Sequence, residues 1–224
     1  MTFSIVGHCP ETGMFGVAIS SSSPAVAARC SFARAGVGAV ATQNVTDPRL
    51  GPLALDLMAL GASPSEALSV LERRGAEMAY RQVLAVDRSG QSAIYSGTQV
   101  LGMWSESQGR DTAAAGNLLS DAGVPEVMVQ HFLNSTGHLG DRLIGALGAG
   151  LAAGGEAGPV HSSGLLLVDR QSWPLAELRI DWTESCPIAA LEEAWRVYKP
   201  QMTDYVTRAL NPGGAPSYGV PGDQ

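Results

Sequence analysis

The sequence predicts an α+β fold in which two antiparallel sheets lie face to face with helical layers outside them. Three observations carry that expectation. Apolar and polar residues alternate on either side of turn-forming clusters at three places along the chain. Segments with helical spacing come in pairs between those places, and a last long one follows them. Hairpins satisfy their strands from adjacent sequence, so the order strands, two helices, strands, two helices, strands, helix suits antiparallel sheets better than crossovers.

The elements follow in order. In MTFSIVGHCPETGMFGVAIS, the residues Phe3, Ile5, Phe15, Val17 and Ile19 alternate with small or polar ones around Pro10-Glu11-Thr12-Gly13, which reads as a hairpin. Ala35 to Gln43 is small and β-compatible. Gly51 to Leu60 and Pro64 to Leu71 have helical spacing, with Ser63 placed to cap the second. Gln82 to Val86 and Gln91 to Tyr95 alternate across Asp87-Arg88-Ser89-Gly90, a second hairpin, and Asp111 to Leu119 reads as another strand.

Val124 to Asn134, with Asp121 near its start, and Leu139 to Ala153, with a Gly-rich exit, return to helical spacing. Gly164 to Asp169 is a fully apolar strand, and Ala176 to Asp181 alternates beyond Ser172-Trp173-Pro174. Ile188 to about Leu210 reads as a helix that Pro200 kinks or splits. The length suits one domain over residues 1–210, followed by a Pro/Gly-rich tail or arm over residues 211–224.

Composition narrows the function. The formal net charge is −7 and Lys199 is the only lysine, which argues against a nucleic-acid surface and for a small organic substrate. The start lacks a basic region followed by a long apolar run, and no apolar stretch reaches membrane-spanning length, so no membrane partner and a cytoplasmic location are expected. Cys9, Cys30 and Cys186 are odd in number and widely spaced, as reduced thiols are.

Thr2 holds the chemistry of greatest interest. Methionine aminopeptidase removes Met1 before a small residue, and Thr2 then carries a hydroxyl beside a free α-amine, so that one residue supplies nucleophile and base. The alternative is a plain strand residue. Asn117 ends a strand, where it either satisfies a turn or offers an amide donor to an oxyanion. Gln43 sits where a strand gives way to a loop and either satisfies the turn or hydrogen-bonds a polar substrate. The histidines are scattered with no ligand spacing, so no metal is expected. The Gly148–Ala153 run mimics a dinucleotide loop inside a helical segment, and the Ser20–Ser23 run has no base nearby in the sequence, so neither is adopted.

The phrases TFSIVGHCPETGMFGVAIS, ARAGVGAVATQ, GNLL, SSGLLLVD and ELRIDW resemble, in order and spacing, the family called domain of unknown function 1028, grouped with the N-terminal nucleophile (Ntn) hydrolases. The resemblance covers about residues 2 to 200. It implies a four-layer αββα sandwich of two mainly antiparallel sheets, with the nucleophile at the start of the first strand and amide-bond hydrolysis as the usual chemistry. By that resemblance Thr2 is the nucleophile, Asn117 in AAGNLL an oxyanion donor, and Arg34 in ARAGVGAVATQ a group that positions a substrate carboxylate.

Two departures stand out. Many Ntn hydrolases keep a lysine near the nucleophile, whereas the single lysine here lies in the last helix. The family's GRQSAALL-like segment reads PVHSSGLL, with Val160 and His161 in place of an Arg and Gln region. The leading expectation is an amidohydrolase acting on a small amide or acylated amino acid, with no cofactor. The alternative is a catalytically silent Ntn-fold binding or scaffolding protein. A homo-oligomer is expected, and the silent reading is supported by the absence of a second strong catalytic group and by the Pro/Gly-rich tail, which can embrace a partner subunit.

Overall fold

The computed structural model describes residues 1–220. Strands β1 (Thr2–His8) and β2 (Phe15–Ser21) form the first hairpin. A single turn, α1 (Ala27–Cys30), leads into β3 (Ser31–Arg34) and β4 (Gly38–Asn44). Two helices follow, α2 (Leu50–Ala59) and α3 (Pro64–Arg74). Next come β5 (Arg81–Asp87), β6 (Ser92–Ser96), β7 (Ser105–Gly109) and β8 (Thr112–Asn117), then α4 (Val124–Asn134) and α5 (Leu139–Ala152). The chain continues through β9 (Ser162–Val168), β10 (Ala176–Ile180), α6 (Pro187–Tyr198) and α7 (Met202–Leu210).

All strand pairs are antiparallel. One sheet has the order β10-β9-β2-β1-β8-β7 and the other β3-β4-β5-β6. Side chains alternate across each strand, so each sheet has one face toward the other sheet and one toward helices. Phe3, Ile5, Leu165 and Leu167 of the larger sheet pack with Met128, Phe132, Leu143, Leu147 and Leu191 of α4, α5 and α6. Val40, Val83 and Ala85 of the smaller sheet pack with Leu50, Leu55, Leu68 and Leu71 of α2 and α3. Between the sheets lie Val6, Phe15, Val17, Leu84, Val86 and a set of alanines, Ala39, Ala41, Ala113 and Ala115. The result is the four-layer αββα sandwich that the resemblance implies.

Local chemistry accounts for the helix ends. Ser63 accepts from the Glu66 amide while the Glu66 carboxylate accepts from the Ser63 amide, a capping box that starts α3 where the sequence predicts. Pro200 sits in a 3₁₀ turn, Lys199–Gln201, that separates α6 from α7. Gly51 of α2 lies against the ring of Phe32 on β3, where an added Cβ would stand 2.1 Å from a ring carbon. Helix and strand meet there because glycine has no side chain.

Three elements lack a counterpart in the sequence reading: α1, β3 and β7. The run SESQG of β7 has no apolar residue, and as the edge of its sheet it is defined by pairing with β8 rather than by burial. The Pro/Gly-rich segment follows α7, which ends at Leu210. Arg208 of α7 donates to the carbonyls of Pro216 and Ser217 and lies over the Tyr218 ring, so this part folds back on the helix. Residues 221–224 of that tail lie outside the described residues.

Candidate active site

Alternation puts Thr2, Ser4 and Val6 of β1 on the face that meets the other sheet, together with Ala113, Ala115 and Asn117 of β8. Ala39, Ala41 and Gln43 of β4, and Gln82, Leu84 and Val86 of β5, meet them from the smaller sheet. Going along these strands toward the start of β1, the interface changes from alanine, valine and leucine to buried polar side chains. Ser4, Gln43, Gln82 and Asn117 are each at most 1% exposed. Buried polar groups need partners, and these supply one another.

The Ser4 hydroxyl donates to Gln43 Oε1 (2.6 Å), and Gln43 Nε2 donates to Gln82 Oε1 (2.8 Å) and the Ala115 carbonyl (3.1 Å). Gln82 Nε2 donates to Ser96 Oγ (3.0 Å) and the Gly116 carbonyl (3.4 Å). Because backbone carbonyls accept only, these contacts fix both glutamine amides in one orientation. Gln82 Oε1 therefore faces Asn117, whose Nδ2 donates to it (3.3 Å). A polar ladder thus runs from sheet to sheet and sets which end of the Asn117 amide points toward the smaller sheet.

Thr2 stands at the first position of β1, paired with Asn117 on β8 and, one step beyond the Phe3 to Ser20 pair, opposite Ser21 on β2. The Thr2 Oγ1 atom lies 3.3 Å from Ser21 Oγ, and both hydroxyls reach the Met1 carbonyl. Ser21 Oγ also accepts from the Ser23 amide (3.0 Å). Thr2 is 6% exposed and Met1 36%. With Met1 attached, the Thr2 nitrogen is an amide; removal of Met1 frees an amine at this spot.

A carboxylate lies at the same end. Glu156 is buried, and both its oxygens accept from the Ser22 amide, at 3.1 and 3.2 Å. Burial pushes its carboxyl up to about 7, opposed chiefly by the chain's amino terminus, then by the Ser22 hydrogen bonds and by His161. The His161 ring stacks on Trp182 and lies 2.9 Å from the Thr183 carbonyl through Nδ1.

The structure brings together Thr2, Asn117 and Gln43, with Gln43 beneath the other two, its amide saturated by Ser4, Gln82 and Ala115 rather than open to solvent. Arg34 is not among them. It pairs with Gly38 at the opposite end of β4, about 16 Å along the strand from Gln43. There it makes an exposed ion pair with Asp56 (2.7 Å) and lines a cleft with Arg170 and Trp173. Ser21, Gln82 and Glu156 were missed. Ser21 was legible in the hairpin register, since strands turning at Pro10–Gly13 place residue 21 beside residue 2; Glu156 reaches the site through long-range contacts that no local pattern announces.

Among the described residues, no three His, Cys, Asp or Glu side chains form a group that could hold a metal, and no helix is long and apolar enough to cross a membrane. The three cysteines are free, Cys9 and Cys30 buried and Cys186 exposed.

The model of the family of unknown function DUF1028 matches residues 2–191. The crystal structure of protein SPO2555 from Silicibacter pomeroyi, a DUF1028 protein, is similar at a TM-score of 0.82 and 29% identity, over 88% of this chain and 89% of that one. The ancestral β-subunit Anbu from Yersinia bercovieri aligns at a TM-score of 0.40 and 12% identity, over 91% of this chain and 97% of that one. No curated protein matches the sequence.

Proposed function

The chain belongs to the family of unknown function DUF1028, and from that membership and the geometry around Thr2 we propose that it is an amidohydrolase of the N-terminal nucleophile type. The observation that carries the reading is the Thr2 hydroxyl, buried at the first residue of β1, between Ser21 on one neighbouring strand and Asn117 on the other. A side chain so placed can attack a carbonyl from the rigid start of a central strand while its own α-amine takes the proton.

Once Met1 is removed, the Thr2 amine accepts the hydroxyl proton as the oxygen adds to the substrate's amide carbon, giving a tetrahedral oxyanion and an ammonium. One Nδ2–H of Asn117 donates a hydrogen bond to Gln82 Oε1, which leaves the second N–H to donate to the oxyanion. Collapse breaks the carbon–nitrogen bond, and the ammonium returns its proton to the leaving amine. The acyl group is then an ester of Thr2, and water, deprotonated by the same amine, releases it as a carboxylic acid.

The Ser21 hydroxyl holds the Thr2 oxygen in place, and the Ser23 amide in turn holds Ser21. Gln43 and Gln82 act on Asn117, so Gln43 belongs to the support of the site and not to its contact surface. The substrate in this reading is a small amide or acylated amino acid in the cytoplasm. The test is turnover of a panel of small amides by the chain that begins at Thr2: Thr2→Ala is expected to be inactive and Thr2→Ser to retain part of the rate. Equal turnover by Thr2→Ala and the unsubstituted chain overturns the reading.

A further inference from the structure

Resting on that reading of Thr2, we propose that Glu156 is the buried counter-charge of the Thr2 α-amine, a carboxylate built into the wall at which β1 begins. The sheet itself argues for it. β1 runs between β2 and β8, and Glu156 is fastened to the continuations of both neighbours and to neither through β1. Its oxygens accept from Ser22, the first residue past β2, and its backbone forms a bridge with Leu119, two residues past β8. The next amide, Ala157 N, donates to the Leu118 carbonyl at 2.9 Å.

The segment closes across the end of the sheet at the level where β1 starts. By the β1–β2 register Thr2 stands opposite Ser21, so Ser22 marks the place one residue ahead of Thr2, which is where a freed α-amine emerges. Gly154 and Gly155 make the turn possible, with φ of +122° and +58°, bringing the chain out of α5 directly into Glu156.

A buried carboxylate is costly without partners, and among the described residues this one is met by Ser22 alone, through its amide and its side chain, which leaves acceptor sites for a further donor. The amino terminus, carried by Met1 one residue ahead of Thr2, is the cation whose charge acts on it most. The other titratable group that acts on it is His161 at the front of β9, itself 3.9 Å from Glu184 on the segment before α6; Cys30 of α1, whose thiol burial pushes up to about 11 with Arg29 beside it, feels the amino terminus and not Glu156. His161 acts on Glu156 more weakly than the amino terminus.

The consequence for the reaction is electrostatic. The amine becomes an ammonium as Thr2 attacks, and once Glu156 has ionised, above about pH 7, its anion in a water-poor site favours that charge more in the transition state than before it. The same anion also raises the amine's own pKa in the resting protein.

The experiment uses the chain that begins at Thr2, released from a fusion partner, and reads the α-amine pKa from the pH dependence of its acetylation by acetic anhydride, followed by intact mass. Glu156→Gln keeps an acceptor for Ser22 and removes the charge, so the amine pKa is expected to fall by about one unit. An unchanged value overturns the proposal. A second measurement needs no substitution: acetylating the α-amine of the unsubstituted protein is expected to raise the Glu156 midpoint followed by carbon-13 NMR, and an unmoved midpoint counts equally against it. Labelling by a β-lactone that acylates N-terminal threonines is followed in parallel. Unreactive Thr2 with a shifted amine removes the hydrolase and leaves the counter-charge; reactive Thr2 with an unshifted amine does the reverse.

Discussion

Thr2 and Ser21 face each other across the first hairpin with their hydroxyl oxygens 3.3 Å apart, and the Ser21 oxygen is in turn held by the Ser23 amide. Removing the Ser21 hydroxyl frees the Thr2 side chain to turn and leaves the Ser23 amide without its acceptor. Ser21→Ala is expected to lower the rate of Thr2 acylation roughly tenfold and stability by about 1 kcal/mol. Stopped labelling with a β-lactone and urea melts measure the two; an acylation rate equal to that of the unsubstituted protein contradicts the positioning role.

Gln82 joins the two sheets at the level of the site, accepting from Gln43 and Asn117 and donating to Ser96 and the Gly116 carbonyl. Gln82→Leu strands two buried amide donors at once, and is expected to lose at least about 2 kcal/mol and to slow acylation as Asn117 is released. Replacing Asn117 itself by Ala is expected to slow the reaction by about a hundredfold, the size of a lost oxyanion donor. An Asn117→Ala protein that reacts normally removes that role.

Arg34 provides a contrast. Its guanidinium and Asp56 are both well exposed and lie at the far end of β4. Arg34→Ala is expected to change stability by less than about 1 kcal/mol and to leave the Michaelis constants for carboxylate and neutral amides in the same ratio. A selective rise for carboxylate substrates would restore the role that the resemblance implies for this residue.

The Glu156 carboxyl rises from its ordinary 4.5 to about 7 on burial. A raised pKa means that the fold favours the protonated form, so this group's contribution to stability is complete below pH 4.5 and is lost as pH climbs through 7. Relative to Glu156→Gln, the unsubstituted protein is therefore expected to lose up to about 3 kcal/mol between pH 4.5 and 8. Urea melts of both proteins across that range measure it, and parallel pH profiles contradict it.

The sandwich was legible because its layers are written in short-range patterns. Phe3 and Ile5 alternate with Ser4 and Val6 on β1, Ser63 announces α3, and Pro200 marks the break between α6 and α7. The edge strand β7 was not, since SESQG has neither alternation nor apolar residues and owes its form to β8. In the site, Thr2 and Asn117 were readable as residue types, and Thr2 with Ser21 as a register. Gln82 looked like an ordinary strand residue, because only the packing of one sheet on the other turns it toward Asn117. Glu156 lay in a Gly-rich helix exit, and what brings it to the end of the sheet where β1 begins is a bridge to Leu119 across 37 positions of sequence. Arg34 was carried by the resemblance, and strand direction, which its motif does not encode, sends it to the opposite end.

The central claim is that Thr2 with a free amine is a nucleophile, and intact mass with N-terminal sequencing of untagged protein, before and after exposure to a threonine-acylating β-lactone, tests it most directly. The expected result is a chain that lacks Met1 and gains one adduct on Thr2, with no adduct on Thr2→Ala. A chain that keeps Met1 throughout, or an adduct that persists on Thr2→Ala, would contradict it.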